Sequence, residues 1–285
     1  MKKPKVIALV GPTASGKTAY AVELAQRVGG EVVSADSRLV YKGFDIGAAK
    51  PFEAECGGIP HHMMDLVEPD FDYSAGLYEK AARNIIKDIV SRGKTPIVAG
   101  GTGLYFRVLL ENYDLPKFEP DYELRRKLQG LSNLQLHDRL RAADEEGALE
   151  IVASDRKKLI RAIEIAEVGG VRGIKEKEFD VEWVGLNFPR EELYNRIEQR
   201  VDAMIKAGLI EETRGLLERY GRIRNIIETI GYREITDYLD GHATLDEAVK
   251  MLKQNTRNYA KRQLTWFRKN PEIKWNVYPE KFVLK

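Results

Sequence analysis

The sequence predicts an α/β fold, with a parallel sheet flanked by helices and a mainly helical insertion domain. Up to about residue 110, short apolar runs alternate with stretches of helical periodicity. Such alternation is typical of a parallel sheet covered by helices, which binds ligands at the carboxyl ends of its strands. A Gly-rich stretch, "GPTASGKT", directly follows the first apolar run. From about residue 116 the sequence becomes charged and helical, which indicates an insertion into this core.

The elements of the first half follow from local patterns. "SAGLYEKAARNIIKDIVSRG" has Ser74 where an N-cap belongs and Gly93 where the helix should end. "TPIVAGGTG" reads as a strand that runs into a second Gly-rich turn. In chain order we predict a strand at 5–10, a helix at 18–28, a strand at 31–37, a helix at 74–93 and a strand at 95–103.

The second half is predicted to be mostly helical. We assign 1–115 and 181–285 to the α/β core with its C-terminal helices, and 116–180 to the helical insertion. A strand is expected at 180–188, and helices from there to near the end of the chain. The clearest helix is 244–269, which begins with the capping box Thr244/Glu247.

Composition excludes several classes of protein. The 285 residues are 43% hydrophobic and 32% charged, with a formal net charge of +2, so any nucleic-acid-binding surface must be local. Cys56 is the single cysteine, which excludes an internal disulfide and suits a reducing compartment. A zinc site with the nearby His61 and His62 would lack the ligand spacing that zinc needs. No apolar segment approaches the length of a membrane span, so we expect a cytoplasmic protein. We also expect it to be a monomer.

The "GPTASGKT" stretch matches the P-loop pattern of Gly, four residues, then Gly-Lys-Thr, between a strand and a helix. The predicted fold is therefore P-loop NTPase-like. Backbone N–H groups of such a loop point at phosphate oxygens, while Lys17 adds a point charge and Thr18 supplies a hydroxyl for Mg²⁺. The predicted phosphate-binding residues are Gly11, Pro12, Thr13, Ala14, Ser15, Gly16, Lys17 and Thr18.

The acidic residue that would complete an ATP or GTP site is not in the usual place. The strand "TPIVA" ends in Gly100-Gly101-Thr102-Gly103, with no acid. The acid at a comparable strand end is Asp36. From spacing alone it could be a Mg²⁺ ligand, a general base or a helix N-cap.

Seven motifs in fixed order resemble one family. They are "GPTASGKT", "VSADSRLVYKGFDIGAAKP", "PHHMMD", "GGTGLY", "SDRKKLIRAIEI", "IGYREI" and "YAKRQLTWFR". Over nearly its whole length the chain resembles the tRNA dimethylallyltransferases, also called tRNA isopentenyltransferases. The resemblance implies that the P-loop holds the diphosphate of dimethylallyl diphosphate and that the prenyl group moves to the exocyclic N6 amine of the adenosine 3′ of the anticodon.

The resemblance assigns roles to named residues. It makes Asp36 the base that accepts the proton of the adenine amine, gives Thr102 a place in the reaction channel and Arg200 a contact with the diphosphate. The adenosine must leave the anticodon-loop stack to reach the P-loop, so nucleotide flipping is implied. Against the family pattern, Leu39 stands where Gln is common and Ala48 where Thr is common.

The tRNA-contacting residues expected from the resemblance lie in the core, the insertion and the last helix, and those of the insertion should mainly touch phosphates. His61 and His62 are given no chemical role; in a strand they would point to opposite faces. The expected contacts are Asp36, Ser37, Arg38, Leu39, Thr102, Arg125, Lys157, Lys158, Arg161, Lys253, Arg257, Lys261 and Arg262.

The last helix carries seven Lys or Arg residues and no acid between 250 and 270. Helical spacing puts five of them on one stripe, which we expect to hold tRNA phosphates. The apolar and aromatic residues of the opposite face are expected to pack in the core. The stripe is Lys250, Lys253, Arg257, Lys261 and Arg268, and the opposite face Met251, Leu252, Tyr259, Trp266 and Phe267.

Three other functions compete with tRNA prenylation. A P-loop small-molecule kinase would phosphorylate a metabolite with ATP. An adenylate isopentenyltransferase would prenylate free AMP, ADP or ATP, and would need neither the insertion nor the basic helix. A non-catalytic RNA-binding protein would have no need of Lys17, Thr18 and Asp36.

Overall fold

Six parallel strands form one sheet in the part of the chain that the computed structural model describes, residues 3–111, 113–115, 121–168 and 176–277. Their spatial order is β3-β2-β4-β1-β5-β6, so strands distant in sequence are neighbours, and every connection except β2–β3 carries one or more α-helices. The strands are β1 (Lys5–Val10), β2 (Gly30–Ala35), β3 (His61–His62), β4 (Thr95–Gly100), β5 (Asp180–Asn187) and β6 (Lys274–Val277).

The helices fall where periodicity and caps place them. The Ser74 side chain accepts a hydrogen bond from the Leu77 N–H at 3.2 Å, and the Thr244/Glu247 capping box is formed. The helices of the sheet-containing part are α1 (Lys17–Val28), α2 (Ala75–Ser91), α3 (Gly103–Leu109), α8 (Arg190–Lys206), α9 (Leu209–Tyr220), α10 (Arg224–Ile227), α11 (Tyr232–Leu239) and α12 (Leu245–Phe267). Between β2 and β3 lies a short 3₁₀ helix, Glu53–Cys56.

The central strands are buried on both faces, which is why they read as continuous apolar runs. One face of the sheet packs on α2 and α3, through the alternate residues Val6, Ala8 and Val10 of β1. The other face packs on α1, through Ile7 and Leu9. A separate apolar cluster joins α9, α11 and α12 to the loop after β2.

The chain divides into two compact units. The first is Met1–Glu111 with Lys177–Lys285, and it holds the whole sheet. The second is Asn112–Glu176, which contains α4 (Tyr122–Gln129), α5 (Asn133–Ala143), α6 (Glu145–Glu150) and α7 (Arg156–Glu167) around its own leucine-rich core. The predicted insertion, 116–180, is shifted by four residues at each end from this unit, and its segments 116–120 and 169–175 lie outside the described residues.

Two strands differ from the expectation. The prediction of helices from 188 to near the end missed β6, because the four residues "KWNV" are too few for their alternation to be distinctive, and the strand is recognised by its pairing with β5. The two-residue strand β3 pairs with Val32 and Val33 of β2. With the all-parallel sheet flanked by helices, the predicted fold class is confirmed.

Candidate active site

Three neighbouring strands end at the same level of the sheet. Gly100 of β4 is in register with both Val10 of β1 and Ala35 of β2. The P-loop, Asp36 and the Gly101-Thr102 turn therefore start side by side. Strands lie about 4.8 Å apart, so the P-loop and Asp36 leave the sheet about 10 Å from each other. That separation suits a diphosphate and an acceptor base held together.

The P-loop backbone takes its shape from positive φ values. Gly16 has φ 76°, at the N-terminus of α1, and Ala14 has φ 63° although it is not a glycine. The Ser15 side chain is fully buried, and its Oγ has no hydrogen-bond partner within the described residues. A strained loop with an unsatisfied hydroxyl is typical of a site that is completed by a ligand.

Two cations are held over this loop. Lys17 Nζ donates to the Pro12 carbonyl at 2.7 Å, and Arg200 Nη1 of α8 donates to Thr13 Oγ1 at 3.2 Å. Burial and, to a smaller extent, the nearby Arg200 charge lower the pKa of Lys17 to about 7, and Asp36 acts in the opposite direction. An anion in the loop would reverse this shift, because it would replace the lost water around both cations.

Asp36 is held by its own turn and by its neighbours. Its Oδ1 accepts a hydrogen bond from the Arg38 N–H at 2.9 Å, and no helix follows, which removes the N-cap alternative. The Thr102 hydroxyl accepts a hydrogen bond from the Ser37 N–H at 3.0 Å. Thr102 N–H donates to the Ala35 carbonyl at 3.0 Å, so the second Gly-rich turn is fastened to the end of β2.

These segments surround a cavity of about 990 Å³. Of the predicted residues, the P-loop from Thr13 to Thr18, the segment Asp36–Leu39, Arg200 and Arg262 line it. Thr102 is outside the lining, and its hydroxyl bonds the backbone beside Asp36 instead. Gly11 and Pro12, the first two P-loop residues, are also outside the lining, and a Cβ on Gly11 would approach the Leu186 carbonyl oxygen to 2.6 Å.

Three side chains at the cavity were missed by the sequence analysis. Arg196 Nε donates to the Ala14 carbonyl at 3.2 Å, one helical turn before Arg200. Tyr259 of α12 lines the cavity, and burial together with the charge of Asp36 raises the pKa of its hydroxyl. Gln263, also of α12, accepts a hydrogen bond from the Thr13 N–H at 2.8 Å. The sequence shows that Arg196 and Arg200, and likewise Tyr259 and Gln263, are four residues apart and so share one face of a helix. It does not show that these faces point toward the P-loop.

The loop 46–49 contributes Gly47, Ala48 and Ala49 to the cavity lining. Glu212 of α9 fixes the backbone of this loop. The Glu212 carboxylate accepts hydrogen bonds from the N–H groups of Ile46 at 2.8 Å and Gly47 at 2.9 Å, and from the Tyr232 hydroxyl at 2.7 Å. A Cβ on Gly47 would approach the Tyr232 ring to 2.5 Å, so only glycine fits there. Ala48, which replaces the common Thr, is part of this lining.

The two histidines of β3 separate as their strand position requires. His61 lines the cavity, with Nδ1 2.9 Å from the Ile59 carbonyl oxygen, and burial lowers its pKa. His62 Nε2 lies 2.8 Å from Glu31 Oε2, away from the cavity lining.

A metal would have few protein ligands here. The described residues contain no group of three or more His, Cys, Asp or Glu side chains placed to hold one. Mg²⁺ commonly keeps several waters and binds through one or two side chains plus substrate phosphates. Thr18 and Asp36, which line the same cavity, fit that mode of binding.

The basic stripe of α12 is only partly open to solvent. Lys253 Nζ lies 2.7 Å from Asp202 Oδ1, and Arg257 Nη1 lies 2.6 Å from Glu198 Oε1, so α8 supplies the acids that α12 lacks. Lys261 and Arg262 are exposed. The second and third members of the stripe are therefore paired with acids of a neighbouring helix, and the binding of tRNA by the stripe stays a prediction.

The expected core face of α12 was also partly wrong. Leu252 and Phe267 are buried, but Met251 is 54% and Trp266 39% exposed. Trp266 covers the start of α3, where a Cβ on Gly103 would approach the indole to 2.2 Å. Helical spacing gives relative directions on a helix, and the neighbouring elements decide which direction is covered.

In the second unit, the basic residues expected to bind tRNA form a network of their own. Arg125 Nε and Nη2 donate to the two carboxylate oxygens of Glu164 at 2.7 and 2.9 Å, and Arg161 Nη1 donates to Glu164 Oε2 at 3.1 Å. Lys158 Nζ lies 2.6 Å from Asp155 Oδ2. Their role in tRNA binding, and that of Lys157, stays a prediction.

Among the described residues, none of the helices combines the length and the apolar character needed to cross a membrane.

Two family models match the chain. The model described as IPP transferase matches residues 39–270, and the one described as isopentenyl transferase matches residues 4–67. The chain is 45% identical to the tRNA dimethylallyltransferase of Pelotomaculum thermopropionicum, over 96% of this chain and 91% of that protein. It is 43% identical to that of Carboxydothermus hydrogenoformans, over 95% and 91% of the two chains.

Solved structures agree with these matches. The full-length tRNA isopentenylpyrophosphate transferase of Bacillus halodurans superposes with a TM-score of 0.75 at 39% identity, covering 97% of this chain and 90% of that chain. A eukaryotic dimethylallyltransferase acting on tRNA superposes with a TM-score of 0.83 at 29% identity, covering 96% of this chain and 74% of that chain.

Proposed function

Because this chain belongs to the IPP transferase family, we propose that its cavity carries out the family's reaction with dimethylallyl diphosphate as donor. Prenylation of tRNA is its activity. The acceptor we propose is the N6 amine of the adenosine 3′ of the anticodon. The supporting observation is the common end of β1, β2 and β4, which puts a phosphate-binding loop and a carboxylate at one cavity.

The P-loop is proposed to bind the leaving group. In the transfer, the allylic carbon–oxygen bond breaks, a carbon–nitrogen bond forms and diphosphate leaves with the bonding electrons. Negative charge grows on the diphosphate as the bond breaks, and preorganised donors stabilise it. Lys17, Arg200 and the backbone N–H groups of the loop are the donors at this cavity.

Asp36 is proposed to take the proton that the amine loses. An exocyclic adenine amine is a weak nucleophile, so an oriented carboxylate that accepts its proton speeds the attack. Thr102 supports this group through the backbone, because its hydroxyl holds the Ser37 N–H and its own N–H holds the end of β2.

Mg²⁺ is proposed as the cofactor, with Thr18 as its protein ligand. When bound, it would neutralise part of the diphosphate charge. Since Asp36 is needed as the base, Thr18 and the substrate phosphates are the expected ligands.

The tRNA is proposed to enter at the open side of the cavity, between Arg38, Leu39 and Arg262. A base inside a stacked loop cannot reach the P-loop, so the adenosine must flip out. Tyr259, an aromatic side chain in the lining, offers a surface on which a flipped base can stack. We place the enzyme in the cytoplasm with its tRNA, as a monomer, since one chain supplies all of the residues named here.

The deciding experiment incubates the protein with labelled dimethylallyl diphosphate, Mg²⁺ and bulk tRNA, followed by nucleoside analysis. We expect label in N6-prenylated adenosine. Parallel reactions offer AMP, ADP or ATP as acceptor, and ATP as a phosphoryl donor. Prenylation of free nucleotides without tRNA, or phosphoryl transfer from ATP, would overturn the proposal in favour of an adenylate isopentenyltransferase or a kinase.

A further inference from the structure

The Gln263 side chain bridges two loops of the site that are distant in sequence. Its Oε1 accepts a hydrogen bond from the Thr13 N–H of the P-loop at 2.8 Å. Its Nε2 donates to the Gly101 carbonyl of the turn after β4 at 3.0 Å. Gln263 is 5% exposed; its bond to Gly101 is buried and its bond to Thr13 is partly buried beside the cavity.

The orientation of this amide is fixed by its partners. A backbone N–H can only donate and a carbonyl can only accept, so Oε1 must face Thr13 and Nε2 must face Gly101. The turn is shaped around the side chain, because a Cβ on Gly101 would approach Nε2 to 2.1 Å. A side chain at position 101 would therefore displace the Gln263 amide from its hydrogen bonds.

Each loop passes this constraint to a reacting group. Thr13 accepts a hydrogen bond from Arg200 through Oγ1, so the P-loop and its arginine share one anchor. Gly101 is followed by Thr102, which holds the backbone beside Asp36. One buried amide thus stands between the phosphate-binding side of the cavity and the carboxylate side.

We infer that Gln263 is a positioning residue that sets the separation of the diphosphate from the acceptor amine. The inference rests on the proposed function. A misplacement of about 1 Å in a reacting pair costs about 10²-fold in rate. Loss of both hydrogen bonds also leaves the partly buried Thr13 N–H and the buried Gly101 carbonyl without these partners, which favours a shift of either loop.

The first test is Gln263→Met, which keeps the length of the side chain without its hydrogen bonds. We expect kcat for tRNA prenylation to fall by about 10- to 10²-fold, with a smaller change in KM for either substrate. The matched control is Gln254→Met on the exposed side of α12, which should leave kcat within about two-fold of wild type. A Gln263→Met enzyme within three-fold of wild type in kcat would contradict the inference.

The second test is Gln263→Glu, measured between pH 5.5 and 8. A carboxylate can still accept from Thr13 but repels the Gly101 carbonyl, whereas a protonated carboxyl can donate to it and so restore both bonds. The ratio of variant to wild-type rate should therefore rise as pH falls. A merely structural residue would give a flat ratio among folded samples, which would overturn the inference even if Gln263→Met does not fold.

The two hypotheses fail in different ways. If the wild-type protein does not prenylate tRNA, the proposed function is wrong. If it does, and the Gln263 variants behave as wild type, only the positioning role is wrong.

Discussion

The two ends of strand β2 hold charge in opposite ways. Near its start, Glu31 is 6% exposed in its side chain and is paired with Arg92 through two contacts of 2.5 and 2.8 Å, and with His62. Beyond its end lies the cavity, where burial lowers the pKa of Lys17 and Ser15 Oγ has no partner among the described residues. At the start of β2, the buried charge of Glu31 is paired within the protein. Beyond its end, the cation Lys17 is expected to be paired by a bound ligand.

This difference separates stability from function along one strand. Removal of one partner from a satisfied buried ion cluster destabilises the fold, while an unsatisfied site costs stability that ligand binding returns. The adjacent histidines follow the same division. His62 contacts Glu31, and His61 faces the cavity with its Nε2 unpartnered in the part of the chain that the structure describes.

The largest expected effect is at the functional end. Asp36→Asn keeps the shape and one acceptor but cannot take the proton, so the rate of prenyl transfer should fall by about 10²–10⁴. Titration with Mg²⁺ and diphosphate should show wild-type binding. A variant whose main defect is lost Mg²⁺ affinity would make Asp36 a metal ligand.

Lys17→Ala should come next, with a loss of about 10²–10³ in rate. Because the wild-type lysine is charged in a site that removes its water, the melting temperature should not fall. Binding of tRNA to the variant, measured without donor, should persist. Transfer within a few-fold of wild type would contradict the role of the P-loop.

Glu31→Gln should act on stability alone. Two charge-assisted contacts with Arg92 are weakened, so we expect a loss of about 1–3 kcal/mol in the free energy of unfolding. The hydrogen bonds from Arg92 hold the pKa of Glu31 at about 2, below its unfolded value. Its stabilisation is therefore present above about pH 4.5 and lost as pH falls toward 2.

Urea unfolding at several pH values measures this effect, and the variant should lose part of the acid sensitivity of the wild type. The matched control is Glu23→Gln in the exposed pair with Arg27, which should change stability by less than about 0.5 kcal/mol. A two-fold or larger change in kcat at a temperature where Glu31→Gln is folded would break the separation of the two ends.

Diphosphate binding should depend on pH through Lys17. With a pKa of about 7 in the free protein, Lys17 loses its proton as pH rises from 6 to 8, and a bound anion restores it. Affinity for inorganic diphosphate should therefore weaken by up to about tenfold per pH unit above 7. Calorimetry in buffers of different ionisation enthalpy should detect proton uptake. Lys17→Arg keeps its charge, so equal proton uptake by that variant would assign the effect to the diphosphate itself.

The smallest effect is expected from Lys261→Glu, at the rim of the functional end. Lys261 is exposed on α12, and loss of one phosphate contact should weaken tRNA binding several-fold and lower the salt slope by roughly one. Lys253→Glu is the comparison, because it places an acid beside Asp202 and should mainly reduce stability. An unchanged salt slope for Lys261→Glu would place the RNA elsewhere.

Local sequence was sufficient wherever one segment determines its own structure. The P-loop between β1 and α1, the cap at Ser74 and the capping box at Thr244 are of this kind. The meeting of the P-loop and Asp36 was also predictable, since parallel strands carry their loops to one edge. The roles of Asp36 and Arg200 came from resemblance, because spacing left them open.

What the sequence could not show depends on partners from distant segments. The acids that pair with Lys253 and Arg257 lie on α8, and no pattern within α12 reveals them. Gln263 and Glu212 read as ordinary helix residues until their backbone partners are known. Trp266 shows the same limit: helical spacing gives its direction on α12, but not that it contacts Gly103 of α3 and remains 39% exposed.

The hydrogen bond between Thr13 and Gln263 joins residues that are 250 positions apart. A contact of such long range forms late, after the intervening chain has been synthesised and has left the ribosome. A nascent chain can thus fold the first strands and complete the P-loop sequence long before that loop is locked. The P-loop therefore reaches its final geometry only after residue 263 has been synthesised, and a chain truncated before that residue would contain every P-loop residue but would lack the hydrogen bond to Gln263.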